Sequence, residues 1–173
     1  MLDDFKKLLS VFNAHSVKYL VVGGYAVSFH AQPRATKDLD LFIKADPANA
    51  KATYAALASF GAPLSNITID DLADARKFIR FGREPVAVNI LPSIDGVNFD
   101  EAWARRVESV IDANSGLTAF FISKNDLIAS KLAAGRLRDL ADVEEIRESD
   151  ASQPARREVN LSSAPMKNVG PKQ

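Results

Sequence analysis

Apolar residues along the first half of the chain change period four times, and each change marks an element. Leu2, Phe5, Leu8, Leu9 and Phe12 recur at helical spacing, so residues 3–14 are expected to form a helix with one buried stripe. Asp3 and Asp4 at its start suit the helix dipole. The run KYLVV at 18–22 is β-rich and predicts a strand. Gly23 and Gly24 punctuate it, YAVSFHA continues as a short helix, and Pro33 blocks any extension. Residues 38–43, DLDLFI, predict a second strand, followed by an alanine-rich helix over 47–60. Asp46-Pro47 reads as N-cap and first helical position, and Gly61 as the C-terminal stop.

The second half is also segmented. RKFIRF at 76–81 and VAVNIL at 86–91 predict two strands joined by the four-residue link GREP. A turn at Asp95-Gly96 leads into a short helix over 99–105. Two further strands, 107–111 and 117–121, flank Asn114-Ser115-Gly116. Ser123 with Asp126 resembles a capping box opening a helix to Ala134; Gly135 breaks it, and Leu137–Ile146 forms a last helix. Trp103 and the phenylalanines are expected in the core. From residue 150 onward the chain has no aromatic residue and few large apolar ones, which predicts a disordered tail over 150–173 after a single domain over 1–149. The fold class is α/β (α+β): a mixed sheet flanked by helices, with a short helical segment at the C-terminal end.

Composition removes several classes. Lysine plus arginine equals aspartate plus glutamate at 22 each, so no strongly basic nucleic-acid binder is indicated. There is no cysteine, hence no disulfide or thiolate metal site, which fits a cytoplasmic setting. No apolar run is long enough to span a membrane, and no signal peptide is expected.

The candidate chemistry starts at RATKDLDLF, residues 34–42. Asp38 and Asp40 lie two apart in a strand, so they project to one face, roughly 6.6 Å apart along the backbone at 3.3 Å per residue. Leu39 and Leu41 point the other way, into a core. Two carboxylates so placed repel each other, and a divalent cation between them removes the penalty. A half-exposed strand with a polar face accounts for the same pattern. The stretch VVGGYAV adds a second piece: a strand ends, two glycines turn the chain, and a helix begins, letting backbone N–H groups approach an anion. It is neither a Walker loop nor a dinucleotide fingerprint, and by itself a plain tight turn is the favoured reading.

Together, Gly23-Gly24, thirteen residues, then Asp38-Leu39-Asp40-Leu41 resemble the signature of the nucleotidyltransferase superfamily typified by DNA polymerase β. Arg34-Ala-Thr36-Lys-Asp38-Leu-Asp40 looks like the R-x-T-x-D-x-D form of abortive-infection type nucleotidyltransferase toxins and their uncharacterised bacterial relatives. ISKNDLIASKLAAGRLRDLADVEEI resembles their C-terminal helical motif, with Lys131, Arg136, Asp139 and Asp142 in the matching places.

The resemblance implies transfer of a nucleotide from a nucleoside triphosphate to a hydroxyl, with Mg2+ or Mn2+ as cofactor. Asp38 and Asp40 would hold the metal. Gly23 and Gly24 would cradle the outer phosphates, with Arg34 and Thr36 on the approach, and Lys131 and Arg136 would meet the triphosphate or acceptor. A salt bridge from Lys131 or Arg136 to Asp139 or Asp142 is the simpler alternative. The acceptor would be an RNA 3′ end, a protein or a small molecule, and the partner a cognate antitoxin or toxin protein in a toxin–antitoxin or phage-defence pair. The family's third carboxylate falls on Asn89, which carries no charge and cannot act as a base. A catalytically degenerate nucleotide-binding or antitoxin-like module therefore stands as the alternative.

Overall fold

The computed structural model describes residues 1–83 and 86–151. Its elements run α1 (Asp3–Ala14), β1 (Tyr19–Val22), α2 (Gly23–His30), β2 (Asp38–Ile43), α3 (Pro47–Phe60), α4 (Ile69–Ala73), β3 (Ile79–Arg83), β4 (Val86–Leu91), α5 (Phe99–Ala104), β5 (Val107–Asp112), β6 (Leu117–Phe121), α6 (Lys124–Ala134) and α7 (Leu137–Ala151). The strands form one mixed sheet in the order β3-β4-β2-β1-β6-β5. β1 runs antiparallel to β2 and parallel to β6, and β2 runs parallel to β4. The mixed sheet flanked by helices is the expected architecture.

Strand alternation divides the sheet between two cores. Tyr19, Val21, Leu39, Leu41, Ile43, Val88 and Ile90 face the stripe Phe5, Leu8, Leu9 and Phe12 of α1 and the inner faces of α3 and α4. Leu20, Val22 and Phe42 face the other way, against Ala26 and Val27 of α2, Phe99 of α5, Leu127 of α6 and Ile146 of α7. Phe42 follows Asp38 and Asp40 in the same alternation, so the acid pair opens on this second side. Leu39 and Leu41 are fully buried on the first, as their spacing requires.

Local signals set several boundaries. Asp46 caps α3, accepting from the Asn49 N–H at 2.7 Å, with Pro47 inside the first turn and Gly61 left-handed at φ 85°. Asn49 also accepts from the Lys18 N–H and donates to the carbonyls of Lys18 and Lys44, tying α3 to the ends of β1 and β2.

Four expectations need correction. The third strand begins at Ile79, not residue 76, because Arg76 and Lys77 are held by Asp74 and Asp71 outside the sheet. Of the expected link, Gly82 and Arg83 belong to β3, while Glu84 and Pro85 lie outside the described residues. A helix the sequence pattern does not reveal, α4, is opened by a capping box between Thr68 and Asp71. The aromatic residues are not all core: Phe78 is 56% exposed, Phe29 is also exposed, and Trp103 is half-buried beneath Arg106. The expected tail lies, from residue 152, outside the described residues.

Candidate active site

The site grows from the register of three strands. Asp40 pairs with Asn89 across the parallel β2–β4 ladder, and Asn89 pairs with Arg80 across the antiparallel β4–β3 ladder. Opposite residues on a sheet project to the same face, so a carboxylate, an amide and a guanidinium stand in a row. The side chains complete it. Asn89 Nδ2 donates to Asp40 Oδ1 at 2.7 Å, and Arg80 Nη1 donates to Asn89 Oδ1 at 3.1 Å and to Asp38 Oδ2 at 3.1 Å.

The glycine turn closes on the same row. Gly23 begins α2 in the left-handed region, φ 61°, and a Cβ placed on it would lie 2.0 Å from Asp40 Oδ2. A Cβ on Gly24 would lie 2.6 Å from Thr36 Oγ1. The turn and the acid strand are therefore pressed together at both glycines, and only residues without a side chain permit that approach. The helix starts at the glycines themselves, earlier than expected, so the first N–H groups of α2 border Asp40.

Asp40 is partly withdrawn from water. Burial lifts its carboxyl above the usual carboxylate range, the Asn89 amide opposes that, and neighbouring Asp38 raises it further, with Lys131 and Arg80 pulling back. Such a carboxylate benefits from a nearby cation.

A cleft of about 430 Å³ opens beside it, lined by Gly23, Asp40, Asn89, Lys131, Arg136 and Asp139 among others. The expected residues are thus brought together unequally. Gly23, Asp40, Asn89, Lys131 and Arg136 share the cleft wall. Asp38, one-third exposed, is off that wall and is tied to Asn89 through Arg80. Gly24 and Thr36 pack on each other behind the turn. Arg34 points to α7 and makes a two-pronged pair with Asp142 through Nη1 to Oδ1 and, at 3.2 Å, Nη2 to Oδ2. Lys131 joins that network, donating to Asp142 Oδ2 at 2.6 Å and Asp139 Oδ1 at 3.1 Å while only 8% exposed. The salt-bridge alternative for Lys131 therefore describes the structure, and the same ammonium still lies near enough to influence Asp40. Burial pushes the Asp142 carboxyl up, but the hydrogen bonds and charges of Lys131 and Arg34 outweigh it and hold the carboxyl below its usual range. Arg136 is different: its side chain is 79% exposed, 3.9 Å from Asp139.

Among the described residues no three histidine, cysteine or acidic side chains converge on one point. The donor set for a metal is two hard carboxylates with an amide oxygen alongside. That suits magnesium, which takes one or two carboxylates and completes its shell with water and substrate phosphates. The residues present fit the ion. Arg80 is the member of the site that sequence reasoning missed. Its signal was the register opposite Asn89, hidden because the link was drawn over residues 82–85, whereas Gly82 and Arg83 extend the ladder that sets Arg80 opposite Asn89.

The six-stranded mixed sheet with its flanking helices matches a nucleotidyltransferase-like fold. A family model described as a nucleotidyltransferase of unknown function (DUF6036) matches residues 1–150, and the chain belongs to that family. The crystal structure of the lincosamide antibiotic adenylyltransferase LnuA, lincomycin-bound, is similar in fold, with a TM-score of 0.53 at 15% identity over 85% of this chain and 96% of that one. No curated protein matches the sequence.

Proposed function

We propose that the protein is a divalent-metal-dependent nucleotidyltransferase that moves a nucleotide from a nucleoside triphosphate to a hydroxyl. The observation that carries this reading is the contact between the glycine turn and the acid strand, with Asp40 Oδ2 where a Gly23 side chain would be, at the wall of a cleft that also holds Lys131 and Arg136. Phosphates need the backbone N–H groups of such a turn, and the metal that accompanies them needs carboxylates within reach of it.

Each residue then has a task. Asp38 and Asp40 hold the metal, Mg2+ or Mn2+, which when bound neutralises the phosphates and polarises the α-phosphorus. The N–H groups at Gly23 and Gly24 take the outer phosphates. Arg136, exposed at the cleft edge, meets the triphosphate or acceptor, and Lys131 adds positive potential from the cleft wall. Arg34 and Thr36 act as supports: Arg34 clamps α7 through Asp142, and Thr36 holds the turn at Gly24. The acceptor oxygen attacks the α-phosphorus, the bond to the bridging oxygen breaks, and pyrophosphate leaves. The hydroxyl proton passes to Asp38 or solvent, since Asn89 has no basic atom.

The acceptor is an RNA 3′ end, a protein or a small molecule. The setting is cytoplasmic, within a toxin–antitoxin or phage-defence pair whose second protein is the cognate antitoxin or toxin. The motif resemblance through Arg34, Thr36 and the Asp-x-Asp strand supports this part.

One observation favours a second reading. Asn89 and Arg80 already satisfy Asp40 and Asp38, which is what a nucleotide-binding or antitoxin-like module without turnover would retain. Purified protein incubated with Mg2+, labelled nucleoside triphosphates and a cell extract separates the two. Transferred label that disappears in Asp38→Asn/Asp40→Asn supports the enzyme. Label that persists in that variant contradicts the site, and nucleotide binding without any transfer supports the module.

A further inference from the structure

Arg80 is a cation already built into the acid site. Its Nη1 lies 3.1 Å from Asp38 Oδ2 and 3.1 Å from Asn89 Oδ1, so one guanidinium nitrogen bridges two residues that would otherwise be metal donors. Asn89 in turn occupies one oxygen of Asp40 with its amide N–H. Relative to a carboxylate at position 89, the asparagine removes one negative charge. Arg80 adds one positive charge at hydrogen-bond distance from both Asp38 and Asn89. Both changes make the row of Asp38, Asp40 and Asn89 less negative.

The strand register makes this a fixed arrangement. Arg80 stands directly opposite Asn89 on β3, and Asn89 directly opposite Asp40 on β4. The guanidinium therefore needs no loop movement to reach Asp38. A guanidinium is planar, permanently charged and able to donate to two acceptors at once, whereas Asn89 offers a metal only a neutral oxygen.

We propose that Arg80 is a positioning residue that takes the place of a second divalent cation, so that the site binds a single metal ion, held chiefly by Asp40, with Asp38 shared between that ion and Arg80. This rests on the nucleotidyltransferase reading. It yields a metal count and a competition: removing the guanidinium frees Asp38 and tightens the single metal, and restoring a carboxylate at position 89 as well creates room for another.

The test is Mn2+ binding to the full chain, read by electron paramagnetic resonance titration with and without a non-hydrolysable nucleoside triphosphate analogue. Wild type is expected to bind one Mn2+ per chain. Arg80→Gln is expected to bind one Mn2+ about tenfold more tightly, Arg80→Lys to lie close to wild type, and Arg80→Gln/Asn89→Asp to bind two. Two Mn2+ in wild type, or unchanged affinity in Arg80→Gln, overturns the assignment while leaving the enzyme reading intact. No Mn2+ bound to wild type in the presence of nucleotide contradicts the enzyme reading itself. Thermal unfolding of each variant checks that the sheet is retained, and a misfolded Arg80→Gln is replaced by Arg80→Met, for which the same tenfold gain is expected.

Discussion

Replacing Lys131 with methionine removes one charge from a buried network of two acids and two bases. Lys131 donates to Asp142 at 2.6 Å and to Asp139 at 3.1 Å, and the Asp142 side chain is 4% exposed. Methionine matches the length of the stem and fills the same space, so the loss is electrostatic rather than steric. Asp142 keeps Arg34, but Asp139 is left with Arg136 at 3.9 Å. Breaking a buried pair from one side costs about 3–5 kcal/mol. The surviving Arg34 places this case near 3 kcal/mol. With a urea slope of about 2 kcal/mol/M for a domain of this size, the midpoint falls by roughly 1.5 M. Urea denaturation followed by circular dichroism reads this directly. A loss below about 1 kcal/mol would mean that the ammonium contributes little to holding α6 against α7, and the network would no longer explain why Asp142 stays ionised.

Three further outcomes follow from the same geometry. Gly23→Ala costs about 2 kcal/mol, since alanine is strained at φ 61° and its Cβ meets Asp40 Oδ2; a loss under about 0.5 kcal/mol in urea denaturation would show that the turn and strand are not in contact. Arg136→Ala leaves the urea midpoint unchanged, because the side chain is 79% exposed, but raises the KM for nucleoside triphosphate about tenfold; an unchanged KM removes Arg136 from the site. The Asp126 carboxyl is pushed up by burial but held below its usual range overall by Arg105 and the Ser123 hydroxyl. Its folded pKa is below the unfolded one, so its contribution is present above the ordinary carboxylate range and is lost as pH falls through the folded value. Asp126→Asn therefore lowers stability by about 1 kcal/mol at pH 7, discounted for the half-exposed Arg105, and the gap to wild type closes below about pH 4; a gap that is constant with pH assigns the effect to something other than charge.

The legible parts of the molecule are those where one local rule decides. Alternation in DLDLFI places Leu39 and Leu41 in one core and both aspartates on the opposite face, and the same alternation in VAVNIL brings Asn89 beside Asp40. Asp46, Pro47 and Gly61 bound α3 because cap chemistry acts within one turn. What the sequence hides depends on partners far along the chain. RKFIRF has strand composition throughout, yet Arg76 and Lys77 are drawn to Asp74 and Asp71, and only from Ile79 does the backbone join β4. Gly82 and Arg83, expected in the link, also join β4, and that longer ladder is what sets Arg80 opposite Asn89. Lys131 reads equally well as a phosphate ligand or an ion-pair partner until α6 and α7 are folded together. Asn49, which bonds three backbone groups across two strand ends, gives no sign of doing so in an alanine-rich helix.

The central claim is that the acid strand and the glycine turn transfer a nucleotide, not a phosphate. Two parallel reactions, one with nucleoside triphosphates labelled at the α-phosphate and one with label at the γ-phosphate, test it on the wild-type chain with Mg2+ and a cell extract. The account predicts label in acceptor from the α position only, with γ-label recovered as pyrophosphate. Label entering acceptor from the γ position, with nucleoside diphosphate as the other product, would contradict it.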